Sequence, residues 1–404
     1  MNQKRNIYID HNATTPLAPK VLEAMLPYLK DIYGNASSLH AFGQDSKKLL
    51  EEARVLMAEL LNAEKPEEII FTGSGTEADN MAIKGLLTSS LVKGKHIVTS
   101  QIEHPAVLNT CEYMLKYGCE TTYVGVDKFC RIDPEAVRKA IRPDTVLVSL
   151  MQANNEVGVI EPIAEISKMI QDENEKRAKM LNSHKIYFHT DAVQSAGKLK
   201  IDVQKLGVDM LSIAAHKFYG PKGVGMLYLK MGTPVESILH GGHQERILRA
   251  GTENVAGIVG MAKALENSVR EMGKEQPRLY FLREKLEKGI TENIPETFVN
   301  GHYLERLSGT LNVSFKYVEG ESLLLALDLE GIAVSTGSAC ASGSSEPSHV
   351  LKAMGVETAT AQGAIRFSLG HQNTEEDISY ILEVLPRVVS RLREMSPWWA
   401  KRDK

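Results

Sequence analysis

The sequence predicts an α/β fold: a mostly parallel central sheet with helices on both faces, joined to a smaller α+β domain. Three observations lead there. Short apolar runs alternate with helical segments from Glu68 to about Leu229, the signature of βαβ units. Polar residues cluster just past the ends of several runs, where open α/β sheets build ligand sites. After a long helical stretch from about Val255 to Gly289, the pattern changes to strand, helix, strand, strand and closing helices. The expected division is a large domain over residues 15–262 and a small domain from residues 1–14 and 263–404.

A chain of 404 residues is long enough for two sizeable cores. With 43% apolar and 24% charged residues the composition is that of a globular protein. A formal net charge of -4 gives no electrostatic reason to expect nucleic acid or a membrane surface as partner. No apolar run reaches membrane-span length, and Met1-Asn-Gln-Lys-Arg leads straight into a strand rather than a signal sequence. Cys111, Cys119, Cys130 and Cys340 are too scattered for a disulfide framework or a zinc site, so a reducing cytoplasm is expected.

Taken in order, Ile7-Tyr-Ile is a strand and Asp10-His-Asn-Ala-Thr-Thr-Pro16 a polar turn. Val21, Met25 and Leu29 recur every four residues and predict a helix from about Lys20 to Tyr33. Gly34-Asn35-Ala-Ser-Ser breaks it, and Ser46–Asn62 is a second amphipathic helix. Strand Glu68–Thr72 meets the turn Gly73-Ser-Gly-Thr76 and a helix over Thr76–Leu87. Such a turn aims free N–H groups and the helix dipole at one point, where a phosphate fits. A bare Gly-x-Gly is more often only a turn.

Strands His96–Ser100, Thr121–Val126, Thr145–Met151 and Lys185–His189 alternate with helices Pro105–Tyr117, Pro134–Ile141 and one from Ile163. Past the strand ends lie Ser100-Gln-Ile-Glu-His104, Gln152-Ala-Asn-Asn155-Glu and Thr190-Asp191-Ala-Val-Gln194. Any one could be a helix cap; three beside one unusual lysine point to a site. The charged run Gln171–His184 reads as a solvated helix extension.

That lysine is Lys217. Val208–Ala215 is a short buried strand running into His216-Lys217, and Gly220-Pro221 and Gly223 turn the chain before the apolar run Val224–Leu229. Burial disfavours an ammonium and makes the amine nucleophilic toward a carbonyl, as a Schiff-base lysine requires. The ordinary alternative is a stem along the strand with its head in water. His240 and His243 lack a visible third ligand, so no metal is expected. In the second domain, strands Leu311–Phe315, Ile332–Ser335 and Gly363–Leu369 accompany a helix over Gly320–Glu330. The loop Thr336–Pro347 surrounds Cys340 with small side chains, and an accessible thiol on a mobile loop (about 335–348) is expected. Cys111 and Cys119 read as core, and Cys130, near a turn, has no assigned role.

Several motifs in one order carry a resemblance over nearly the whole chain: Tyr8-Ile-Asp-His-Asn-Ala-Thr-Thr-Pro, the Gly-Thr-Glu turn, Glu103-His-Pro-Ala-Val, Thr190-Asp-Ala-Val-Gln, His216-Lys-Phe-Tyr-Gly-Pro-Lys-Gly, the Cys340 loop and Ile365-Arg-Phe-Ser-Leu-Gly. The chain resembles the pyridoxal-phosphate-dependent cysteine desulfurases of the class-V aminotransferase family, in the branch serving iron–sulfur cluster and nitrogenase assembly. The resemblance implies an aspartate-aminotransferase-like fold (fold type I), pyridoxal 5'-phosphate as cofactor and a homodimer. Lys217 would be the Schiff-base lysine and Asp191 the partner of the pyridinium nitrogen, keeping the ring an electron sink. Gln194 and Asn155 would face ring substituents, and His104 would stack on the ring. Gly75, Thr76 and His216 would hold the phosphate, with Thr252 reaching across from the partner subunit. Arg366, with Asn35 and Asn155, would bind the substrate carboxylate.

Lys217, His104 and Cys340 are the implied catalytic residues. L-Cysteine would become L-alanine, its sulfur passing to Cys340 as a persulfide. The acceptor would be a protein such as an iron–sulfur scaffold, with transient cluster contact at Cys340, or a thiolation pathway. The chain departs from the family at Ala214, where many relatives have a phosphate-binding serine, and in the length of Gln171–His184. It also ends soon after Met395-Ser-Pro-Trp-Trp-Ala, where relatives often continue into a scaffold-docking tail. The alternatives are a selenocysteine or cystine lyase on the same fold, a plain aminotransferase, and a non-enzymatic adaptor.

Overall fold

The structure, a computed structural model, describes residues 5–180, 184–337, 347–397 and 399. After strand β1 (Ile7–Tyr8), the strands are β2 (Ile69–Thr72), β3 (His96–Ser100), β4 (Glu120–Val124), β5 (Thr145–Ser149), β6 (Tyr187–Asp191), β7 (Met210–Ala214) and β8 (Gly225–Leu229). These last seven form one sheet in the order β2-β8-β7-β6-β5-β3-β4. Four neighbouring pairs are parallel, while β8 runs antiparallel to both β2 and β7. The cause is the link after β7: Gly220-Pro221-Lys222-Gly223, with Gly223 at φ 76, turns the chain where a crossover helix has no room.

Alternate residues of each strand feed opposite cores, as a two-residue period requires. Phe71, Val98 and Val148 join the cluster beneath helices Ala41–Leu61, Ile163–Arg177 and the first turns of Val255–Asn293. Ile70, Ile97 and Leu147 join the opposite cluster with Met81, Val107 and Cys111. Helices therefore cover both faces, and strands such as Thr145-Val-Leu-Val-Ser149 are buried throughout.

The remaining strands are β9 (Thr297–Asn300), β10 (Thr310–Phe315), β11 (Ile332–Ala333) and β12 (Ala364–Ser368). They make an antiparallel sheet, β12-β10-β9, and a parallel pair of β1 with β11. Their core gathers Phe315, Phe367 and Ile365 against Leu282 and Leu286 and against Ile381 and Leu385 of helix Glu375–Met395. Helix Val255–Asn293 serves both parts of the molecule, with Met261 and Leu265 in the first core and Leu286 and Ile290 in the second.

Several expected boundaries move. The second helix starts at Ala41, because the His40 ring caps it by accepting from Gly43 N. The strand expected over Lys185–His189 is instead Tyr187–Asp191, since Thr190 and Asp191 pair with Leu211 and Ser212 of β7. Strand β9 is absent from the sequence reading: its four residues are short and mixed in polarity, and Phe298 lies exposed on the edge. The charged run is not wholly solvated either. Its helix ends at Arg177, whose buried guanidinium donates to the carbonyls of Thr145 and Arg142 at 2.8 and 2.5 Å.

Candidate active site

Three strand ends of the large sheet converge on Lys217. Strand β7 ends at Ala214, and the single turn Ala215–Lys217 carries the lysine out of the sheet. Its Nζ donates to the backbone carbonyls of Asn12 and Ala13 at 2.6 and 2.8 Å. The lysine head is thus held by the polar turn after β1 rather than extended along its strand. The same turn binds the next residues: Thr15 Oγ1 donates to the His216 carbonyl at 2.9 Å and accepts from Tyr219 N at 2.7 Å. His216 Nδ1 lies 3.1 Å from Thr14 Oγ1, and burial lowers its pKa to about 4, with Lys217 and Lys222 adding.

Asp191 closes β6, one strand over. Its carboxylate accepts from Val193 N at 2.8 Å and is 6% exposed. Burial raises its pKa to about 6, opposed by that N–H and by the charge of Lys217. His104, beyond β3, caps helix Pro105–Met114 by accepting from Ala106 N at 3.1 Å. Burial, then Lys217, lowers its pKa to about 4, which leaves a neutral imidazole. Lys217, Asp191 and His104 therefore share one electrostatic neighbourhood.

The glycine turn sits beside them. Ser74 Oγ caps helix Gly75–Asn80 by accepting from Glu77 N. A Cβ on Gly75 would meet Val193 Cγ2 at 2.7 Å, and one on Gly225 would meet the Ser74 carbonyl carbon at 2.4 Å. Neither position has room for a side chain, so the turn lies flush against β8 and the Asp191 turn. Thr76 is exposed at the rim and Thr252 lies on the surface.

Arg366 approaches from the other sheet. It is 2% exposed, and its guanidinium donates to the Asn155 carbonyl at 2.9 Å and to Asp10 Oδ1 at 2.6 Å, with Nε left unpartnered. Asn155 is thereby brought to Arg366. Asn35 is exposed in a separate loop, where its Oδ1 accepts from Ser37 N, and no hydrogen bond joins it to Arg366 among the described residues. Gln194, buried, donates through Nε2 to the Asn12 carbonyl at 2.9 Å. Cys340 and residues 338–346 of its loop lie outside the described residues. Cys111, Cys119 and Cys130 are buried free thiols, and Cys130 holds φ 68.

Four neighbours escape the sequence reading. Asn12 gathers Lys217, Gln194 and Lys198. Lys198 is an unremarkable Gly-Lys in the sequence. Asp79 and His189 lie behind Asp191, the Asp79 carboxylate 3.6 Å from His189 Nε2. Burial holds Asp79 well above the usual carboxylate range, and the charge of Asp191 pushes the same way. The available signal was period two: His189 and Asp191 share one face of β6.

The family model for "Aminotransferase class-V" matches residues 7–381. A cysteine desulfurase IscS of Dictyoglomus turgidum is 52% identical over 98% of this chain and 97% of its own length. The chain belongs to the class-V aminotransferase family, in its cysteine desulfurase branch. A second cysteine desulfurase IscS, from Methanosarcina thermophila, is 49% identical over 98% of this chain and 95% of that protein. Among solved structures, a "NIFS-like protein" superposes with a TM-score of 0.88 at 38% identity, over 96% of this chain and 100% of that one. Class-V aminotransferases are pyridoxal-phosphate enzymes of fold type I, and the mostly parallel sheet has that architecture.

Proposed function

We propose that this chain converts L-cysteine to L-alanine and takes the sulfur onto Cys340 as a persulfide. The observation that carries the reading is the convergence of Lys217, Asp191 and His104 at the ends of β7, β6 and β3. The residues present fit pyridoxal 5'-phosphate. Buried Asp191 has one N–H donor and the nearby charge of Lys217, so it is suited to a protonated ring nitrogen. The Gly75 turn has backbone where a side chain would clash, as a phosphate cradle needs. When bound, the cofactor supplies an electron sink that weakens bonds at the substrate's α-carbon.

The chain's own residues do the rest. Lys217 would hold the cofactor through its amine, and the Asn12 and Ala13 carbonyls that now accept from Nζ would release it. Asp191 would keep the ring nitrogen protonated, and Gln194 and Asn155 would face the ring substituents. Neutral His104 would stack on the ring, and its one acceptor nitrogen, Nδ1, would take a proton, including that of the incoming thiol, by giving up the cap on Ala106 N. Gly75, Thr76 and His216 would hold the phosphate. Arg366 would take the substrate carboxylate in place of Asp10, its unpartnered Nε supplying a further donor.

We assign the large domain to residues 15–262 and the small domain to residues 1–14 and 263–404. A homodimer is supported by Leu22, Leu26 and Leu29, exposed on the outer face of helix Pro19–Lys30, and by exposed Thr252, free to reach a partner's phosphate. Free buried thiols suit a reducing cytoplasm. The sulfur acceptor would be an iron–sulfur scaffold or a thiolation protein.

The test is incubation of the cofactor-loaded protein with L-cysteine, followed by mass spectrometry of the Cys340 peptide and assay of alanine. One added sulfur on Cys340, with stoichiometric alanine, is the expected result. Alanine formed equally well by Cys340→Ala would mean a lyase that needs no protein thiol. Lys217→Ala should take up no cofactor that survives borohydride reduction and denaturation. Retention by that variant refutes the lysine assignment.

A further inference from the structure

Lys198 sits in the turn after β6 and lines the same cavity as Lys217, Asn12 and Thr310. Its Nζ donates to Asn12 Oδ1 at 2.9 Å and to Gln194 Oε1 at 3.0 Å. It has no carboxylate partner among the described residues. A cation placed against two neutral amides next to a proposed cofactor site calls for a reason beyond stability, since an unpaired interior charge is costly.

We propose that Lys198 is a positioning residue that fixes which end of the Gln194 amide faces the cofactor. The logic is one of inventory. An ammonium has three donors and no acceptor, so the atom facing it on each amide is the oxygen. With Oε1 claimed by Lys198, Gln194 has only the donor Nε2 to offer on its other side. That nitrogen now donates to the Asn12 carbonyl, the same oxygen that accepts from Lys217 Nζ at 2.6 Å. Asn12 is fixed in turn, because its Nδ2 donates to Thr310 Oγ1 at 3.0 Å while its Oδ1 faces Lys198. A glutamine free to turn over would present an acceptor to the acceptor oxygen on the cofactor ring, and the two would repel. The lysine itself is softened toward neutrality: burial, then Lys217 and Arg366, lowers its pKa to about 7. The protonated form, present below that value, is the one that fixes the amides, because a neutral amine also accepts and would tolerate either end.

The inference rests on the reading of Lys217 as the cofactor lysine. Lys198→Met keeps the stem and removes the donors. The readouts are cofactor affinity and the pH midpoint of the bound cofactor's visible absorption band. A hydrogen-bond donor on the ring oxygen stabilises its deprotonated form, so losing the donor should raise that midpoint by about one unit. Affinity should fall roughly tenfold, about 1.4 kcal/mol. Because the effect runs through Gln194, Lys198→Met should move the midpoint no further in a Gln194→Leu background. A wild-type midpoint in Lys198→Met, or an equal shift in both backgrounds, overturns the proposal. If Lys198→Met does not fold, the crystal structure of the wild-type holoenzyme decides: Nζ on the Gln194 amide supports the assignment, and Nζ turned away overturns it. A wild-type chain that gains no visible band with pyridoxal 5'-phosphate overturns both this and the reading beneath it.

Discussion

Replacing Glu245 by glutamine tests how the loop leading to Thr252 is held. Arg54, on helix Ala41–Leu61, grips Glu245 with two bonds of 2.8 Å each, and Phe71 N donates to the same carboxylate at 2.9 Å. Both side chains are almost wholly buried, at 4% and 2% exposure. The pair anchors unfavourable backbone, for Glu245, Arg246 and Ile247 stand at φ 42, 56 and 70. Left-handed backbone costs an L-residue about 1–2 kcal/mol, so three in a row cost roughly 3–6 kcal/mol. Glu245→Gln preserves shape but leaves the buried Arg54 guanidinium with only the half-exposed Glu51, 3.3 Å from Nε, as a carboxylate partner, which should cost about 3 kcal/mol, the low end for breaking a buried pair. Urea unfolding followed by circular dichroism reads this directly: at a slope of ~2–3 kcal/mol/M the midpoint should fall by about 1–2 M. The paired change Arg54→Met with Glu245→Leu removes both charges and should be milder than Glu245→Gln alone. A loss below about 1 kcal/mol in the single variant would mean that the pair behaves like an exposed one, and the anchoring argument would fail.

Three further outcomes follow from the site. Asp191→Asn removes a charge-assisted hydrogen bond worth about 1.5–3 kcal/mol, so cofactor titration should show binding weakened roughly 10- to 100-fold; unchanged affinity would contradict its pairing with the ring nitrogen. Gly225→Ala puts a Cβ 2.4 Å from the Ser74 carbonyl carbon, so cofactor phosphate affinity should drop with the sheet intact by circular dichroism, and a neutral result would show that the turn can yield. His104 has its folded pKa lowered to about 4, below the unfolded value of about 6.5, so the unfolded chain takes up the proton first. Its contribution is complete above the unfolded value and is lost as pH falls toward the folded one. The stability gap between wild type and His104→Gln should therefore shrink by about 2–2.5 kcal/mol between neutral pH and pH ~4.5, and a constant gap would exclude the shift.

Periodicity made the large sheet legible because its signal is local. Each strand of the βαβ series is a short apolar run, and each helix shows its buried stripe, as Leu50, Met57 and Leu61 do on Ala41–Leu61. Lys217, Asp191 and His104 are visible for the same reason: each lies at or within four residues of the end of a strand, and topology brings the ends together. What the sequence concealed depends on contacts between distant segments. Asn12 gathers groups more than 180 positions away, and nothing in the order of residues signals that. Lys198 carries no local signal in the sequence, and only the facing amides give it a role. The resemblance gives Arg366 a substrate carboxylate but cannot show its resting partner, Asp10, which lies 356 positions earlier and joins it only through the pairing of the small sheet. Strand β9 escaped because an edge strand with one exposed face has little apolar pattern to show.

The polar turn after β1 explains why the two sheets make one site. Strand β1 pairs with β11, and Asp10 bridges Ser368 of β12, so this segment belongs by hydrogen bonding to the small sheet. Within five residues it crosses to the large sheet: the Asn12 and Ala13 carbonyls hold Lys217, and Thr15 holds His216 and Tyr219. Arg366 completes the circuit from the opposite direction, reaching from β12 to the Asn155 carbonyl beyond β5. A lysine whose nitrogen rests on carbonyls owned by the other sheet cannot change partners without that turn adjusting. The turn in turn cannot adjust without disturbing Asp10 and hence Arg366. Lysine and arginine, the two cations that would meet the two ends of an amino-acid substrate, are thereby coupled through six consecutive residues, from Asp10 to Thr15.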